Sequence, residues 1–80
     1  MNSSFMNKII TTANGKQYVV IDENVYQNKM YVIANEVVNN DLNEMIYIFR
    51  VDMQGDKVTF AVEENTEVLK AILDMASNKQ

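Results

Sequence analysis

Asn14-Gly15 stands between two β-branched runs, residues 8–12 and 18–21, and no other short feature of this sequence ties the chain so closely to one local fold. Both central positions of a type I′ turn need positive φ, which glycine adopts freely and asparagine tolerates, so the pair predicts an antiparallel hairpin. A two-residue loop would set Ile10 opposite Val19 and Ile9 opposite Val20. Similar punctuation recurs at Gln27-Asn28, at the polar cluster Asn39-Asn40-Asp41 and at Gly55-Asp56. The runs between these signals predict strands over about 8–12, 17–26, 29–36, 44–52 and 57–62. The fourth carries Met45, Ile46, Tyr47, Ile48, Phe49 and Val51, apolar on both faces, which suits a central strand. The fifth alternates, with Val58, Phe60 and Val62 expected inward and Thr59 and Ala61 outward.

After Val62 the period changes. Asn65 or Thr66 can cap a helix, Glu63, Glu64 and Glu67 set negative charge near its positive end, and Val68, Leu69, Ile72, Leu73, Met75 and Ala76 share one face. A helix over about 66–77 follows, short enough to need docking on the sheet. The fold class is therefore α+β: an antiparallel meander of about five strands and one C-terminal α-helix packed on one sheet face. A single helix covers one face only, while strands two and four look apolar on both. The uncovered face is expected to meet a partner.

With 80 residues the chain has room for one core, so 1–80 is expected to be a single domain with 1–7 flexible. Apolar residues make up 48% against 22% charged, enough to offset the entropy of ordering. There is no proline, no cysteine and no histidine. Disulfides are excluded, a structural zinc lacks its usual ligands, and hydrolase triads lack a base. The first eight residues hold no signal-peptide core and nowhere do 18 apolar residues run together, so a cytoplasmic protein that neither spans nor binds a membrane is expected.

Charge is unevenly spread. Through Val20 the only charges are Lys8 and Lys16, so of the net −4 the remaining sixty positions carry −6. A body of that sign repels phosphates, so no direct nucleic-acid binding is expected, and a basic protein partner suits it.

The order Asn14-Gly15, then Val25-Tyr26-Gln27-Asn28-Lys29-Met30-Tyr31, then Gln54-Gly55-Asp56 and Glu63-Glu64-Asn65-Thr66-Glu67 with its helix, resembles the YrzB-like family of small, acidic, functionally uncharacterised bacterial proteins. The likeness runs from about Ile9 to Met75. It departs in being less acidic and in its asparagine-rich stretch at 39–43. The resemblance implies this fold and carries no activity, so no catalytic residue comes with it.

Candidate chemistry is sparse. Ser3, Ser4 and Ser77 lie near the ends, and Thr11, Thr12, Thr59 and Thr66 fall on strands or a helix cap. Asp52, Asp56, Glu63, Glu64 and Glu67 could converge near the last hairpin and the helix start, the one arrangement that would support acid/base work; turn chemistry and helix-dipole complementation explain the same residues without a site. Their spacing is not that of a calcium loop, and two glycines, each in a turn, make no phosphate cradle. No cofactor, metal ligand or catalytic residue is therefore assigned. Arg50, the only arginine, sits in the most apolar strand and must reach solvent, an acid or an interface. Tyr26 and Tyr31 flank the second turn and are expected to be the most exposed of the four tyrosines.

The partner-binding candidates are thus Asp52, Asp56, Glu63, Glu64, Glu67, Arg50, Tyr26 and Tyr31. The expected function is a non-enzymatic protein-binding module that occludes or bridges a macromolecular partner. One version is a phage or mobile-element inhibitor of a host defence nuclease, in the manner of acidic anti-CRISPR proteins; abundant Asn, Lys, Ile and Tyr indicate an A/T-rich genome. Another is a housekeeping homo-oligomer, a homodimer for example, of the YrzB-like type. A third, from a different class, is a small ligand-binding or carboxylate-dependent enzyme.

Overall fold

A computed structural model of the chain describes residues 5–12 and 14–78, with 42–44 as backbone only. It holds β1 (Ile9–Thr11), β2 (Gln17–Tyr26), β3 (Lys29–Val38), β4 (Asp41–Gln54), β5 (Lys57–Val62) and α1 (Thr66–Ser77). The strands form one antiparallel sheet in sequence order, curled into a half-barrel and followed by the single helix. The α+β meander read from the sequence is the fold observed.

Turn chemistry sets the strand ends. Gln27 and Asn28 take φ of 50° and 66°, closing a two-residue loop between Tyr26 and Lys29. Asn39 and Asn40 do the same at 53° and 68°, pairing Val38 with Asp41. The Asn39-Asn40-Asp41 cluster is thus a tight turn rather than a longer loop, because adjacent asparagines tolerate the left-handed region. β3 and β4 accordingly run past the expected ends at 36 and 44.

The first hairpin departs from expectation by one residue. Gly15, at φ 84°, donates to the Thr12 carbonyl at 2.9 Å, and the Thr12 amide donates to the Lys16 carbonyl at 2.9 Å. The loop is therefore three residues long, as when a turn is followed by a left-handed glycine. Its first position, 13, lies outside the described residues. The register becomes Ile9 with Val19 and Ile10 with Tyr18, in place of Ile10 with Val19.

The curl gives the sheet two unlike faces. On the concave side Ile10, Tyr18, Val20, Val32, Ala34, Phe49 and Val51 form a buried core, flanked by Phe5, Met30, Tyr47 and Phe60. Tyr18 packs edge-on against Tyr47 and Phe49, at ring separations of 5.3 and 4.8 Å. On the convex side α1 lays Ile72, Val68, Leu69, Met75 and Ala76 over Tyr31, Ile33 and Ile48. Asn65 caps the helix by accepting from the amides of Glu67 and Val68 at 2.9 and 3.3 Å.

The face without the helix is thus not an open apolar surface. Strand coiling buries it, which the period-two pattern alone does not reveal. At the rim of the curl, β5 is an edge strand, so Val58 and Val62 are exposed and only Phe60 turns partly inward, contrary to the expected inward row. Residues 5–7, expected to be flexible, are held: the Phe5 amide donates to Glu23 Oε2 at 2.6 Å and the Asn7 amide to the Val20 carbonyl at 2.8 Å. Residues 1–4 of that expectation lie outside the described residues. Among the described residues no helix is long and apolar enough to cross a membrane.

Candidate binding surface

Several exposed apolar side chains lie on the helix-bearing face, beyond the helix's reach. The ladder joins Ile9 to Val19, Val19 to Asn35 and Asn35 to Ile46, a row across four strands on one face. Ile46 lies two residues from Ile48 and so shares the helix side. Ile9 is 59% exposed and Ile46 44%. A bulge between Val20 and Asp22 adds Ile21, which lines one cleft with Asp22, Ile33, Ile46 and Leu73, of about 390 Å³. Ile46 and Leu73 also line a second cleft of about 210 Å³ with Ile48, Val62, Glu63 and Leu69. Ile9, Val19, Ile21, Ile46 and Leu73 therefore form a largely apolar strip, broken by the polar Asn35 between Val19 and Ile46, with two shallow depressions.

The residues singled out from the sequence fall in three places. Arg50, Asp52 and Glu63 come together: Arg50 Nε lies 3.2 Å from Asp52 Oδ1, and Nη1 lies 3.8 Å from Glu63 Oε1. Glu63 is nearly buried while Arg50 is about one-third exposed, so the guanidinium reaches solvent while holding the chain that leaves β5. The other Glu63 oxygen, Oε2, accepts from the Asn65 amide at 3.1 Å. Of the three destinations open to it, Arg50 thus takes two, an acid and solvent.

Asp56 sits in the β4–β5 turn, and Glu64 and Glu67 lie exposed at the helix start. Six steps along β4 lead from Ile48, which Glu63 joins, to Gln54 beside that turn, about 20 Å at strand rise. The five carboxylates therefore do not converge. Among the described residues no group of three or more acids, histidines or cysteines is placed to hold a metal.

Tyr31 is only 4% exposed and belongs to the core beneath the helix, contrary to the exposure expected of it. Its place opposite Arg50 on the helix face explains this, since α1 covers that row. Burial pushes its hydroxyl pKa up, and the Glu63 carboxylate adds to that while Arg50 opposes it. Tyr26 is half-buried against the same cluster. Tyr18, in the concave core, is likewise raised by burial and then by Glu36 and Tyr47.

The apolar strip was not legible beforehand, because the two-residue reading of the first hairpin paired Ile10, not Ile9, with Val19. Its one visible signal was the apolar character of both faces of β2 and β4. Set against family models, curated protein sequences and solved structures, the chain matches none of them.

Proposed function

We propose that this chain is a small non-enzymatic protein-binding module that occludes or bridges a macromolecular partner. The observation that carries the reading is the strip of Ile9, Val19, Ile21, Ile46 and Leu73 left uncovered beside a helix that covers Tyr31, Ile33 and Ile48 on the same face. An acidic body around such a strip favours a basic protein over nucleic acid. A nuclease's nucleic-acid channel is one surface of that kind, the target of the phage or mobile-element inhibitor version, and action in the cytoplasm belongs to the same proposal.

The test is affinity capture of the tagged chain from its native host beside an Ile46→Lys/Leu73→Lys variant. Both positions are exposed, so the variant should keep its fold. A protein retained by the first bait and lost by the second supports the reading; equal recovery by both sinks it. The strip also suits a homo-oligomer of the YrzB-like type, since a second copy would bury the same residues. Light scattering that finds a strict monomer at tens of micromolar removes that alternative.

A further inference from the structure

The two edges of the sheet are unlike. β1 is three residues long, whereas β5 has six, pairs with β4 without a registry slip and holds no proline. Short strands, bulges, proline and rows of charge are the devices that keep edges from pairing, and of these β5 carries only the single charge of Lys57.

Two observations fix which way the backbone groups of β5 point. Gln54 and Lys57 close a two-residue turn whose first position, Gly55, has a φ of 62°, so this closing pair exchanges hydrogen bonds. At the other end the Glu63 amide donates to the Ile48 carbonyl at 2.9 Å, one step beyond the pairing of Phe49 with Val62 and in the same register. Lys57, Thr59, Ala61 and Glu63 therefore bond toward β4, and Val58, Phe60 and Val62 turn their amides and carbonyls outward. β5 ends the sheet, and among the described residues no strand pairs with its outer side. A cleft of about 290 Å³ separates Val58, Thr59 and Phe60 from Thr11 and Thr12 on the opposite rim, so β1 does not cover that side. Val58 and Val62 are 41% and 54% exposed.

This edge is complementary to itself. Its outward residues are symmetric about Phe60, so an antiparallel second copy centred there sets Phe60 opposite Phe60 and each Val58 opposite a Val62, with about six main-chain hydrogen bonds. The same register sets Lys57 of one copy opposite Glu63 of the other, a pair of opposite charge. Asp56 lies in the turn and Glu64 past the strand, outside the paired span. The chain's net −4 is carried elsewhere, since residues 57–62 hold no acid.

We infer that the outer edge of β5 joins two copies of this chain, Val58 to Val62, in antiparallel register about a two-fold axis at Phe60. The contact is smaller than a standard interface, so the dimer is weak and depends on concentration. The strip of Ile9, Val19, Ile21, Ile46 and Leu73 lies on the helix-bearing face and is not used. The inference therefore goes beyond the protein-binding reading without resting on it, and gives the assembly two strips with which to bridge partners.

The test is sedimentation equilibrium of the full chain from about 10 to about 500 μM, beside amide exchange. A reversible dimer should form, with exchange slowed at Val58, Phe60 and Val62. Val62→Lys should weaken it about tenfold or more by placing a charge on the edge. Val58→Glu/Val62→Lys should recover most of that loss, because the new charges meet across the axis while standing roughly 13 Å apart within one copy. Both positions are exposed, so these variants should keep their fold. Should the double variant unfold, Lys57→Glu, at an exposed strand start, should still weaken the dimer several-fold by facing Glu63 with a like charge.

A strict monomer throughout that range overturns the inference. Protection at the β1 edge overturns it too, as does a folded double variant that associates no better than Val62→Lys. A dimer dissolved by Ile46→Lys/Leu73→Lys and untouched by Val62→Lys would assign self-association to the strip instead. A monomer, or protection at β1, leaves the capture experiment intact, since that experiment reads the strip.

Discussion

The Phe5 ring meets the Phe60 ring edge-on, with centroids 5.5 Å apart and planes at 85°, so a residue ahead of the first strand is packed on the last. This contact spans the two rims of the curled sheet. Phe5→Ala should destabilise the fold by about 1–2 kcal/mol, less than a fully buried phenylalanine because both rings are only half-buried. Urea denaturation of Phe5→Ala, Phe60→Ala and the double variant checks this. Strictly additive losses would mean that the rings do not couple.

Arg50 ties β4 to the segment leaving β5. Arg50→Met should cost about 1 kcal/mol, a modest figure because the guanidinium is partly solvated and solvent screens the pair. Arg50→Lys should recover less than half of that, since the ammonium cannot place a donor at the Nε position facing Asp52. Denaturation midpoints at low and high salt measure both, and a loss unchanged by salt would deny the ionic account.

Tyr18 and Tyr31 both have pKa values raised above the ordinary 10.0, chiefly by burial. The folded state therefore holds their protons more tightly than the unfolded chain. Their contribution is complete below pH 10.0 and is lost as pH climbs through the raised values. Stability should fall steeply above that point, and Tyr18→Phe or Tyr31→Phe should flatten the fall. Thermal melts between neutral and strongly alkaline pH supply the comparison; an unchanged slope in both variants would refute it.

Gln27 occupies a left-handed position at φ 50° without the local hydrogen bonding that lets asparagine tolerate it. Gln27→Gly should stabilise the protein by roughly 0.5–1 kcal/mol, and Gln27→Asn by somewhat less. Gly55→Ala should do the reverse by about 1 kcal/mol. Nothing lies within 4 Å of a Cβ placed at Gly55, so that cost would be conformational, from φ 62°, and not steric. Calorimetric melting of the three variants separates the signs.

The meander of about five strands and the helix were legible because each rests on local chemistry: positive-φ residues at Asn28 and Gly55, and the change of period after Val62. What escaped depends on counting residues around features without a signature of their own. An Asn-Gly pair fits a two-residue turn, yet here Gly15 ends a three-residue one, and that single position moved Ile9 beside Val19. The bulge at Ile21 has no glycine to betray it. Curling of the sheet is a collective property of five strands and left no mark at any one residue. Tyr31, beside a turn in sequence, lies beneath α1 because it shares the helix-bearing face with Ile33 and Ile48.

After the first hairpin every strand-to-strand loop has the minimum two residues, while the strands themselves hold two registry slips, between Val20 and Asp22 and between Asn35 and Val37. Length variation in this architecture therefore has its natural home inside strands and not between them. A relative shorter by one residue at Ile21 would keep all its turns, yet the segment between that point and the Gln27-Asn28 turn would meet β3 in a restored alternation. A single codon gained or lost would thus add Ile21 to the strip or remove it, with no loop remodelled.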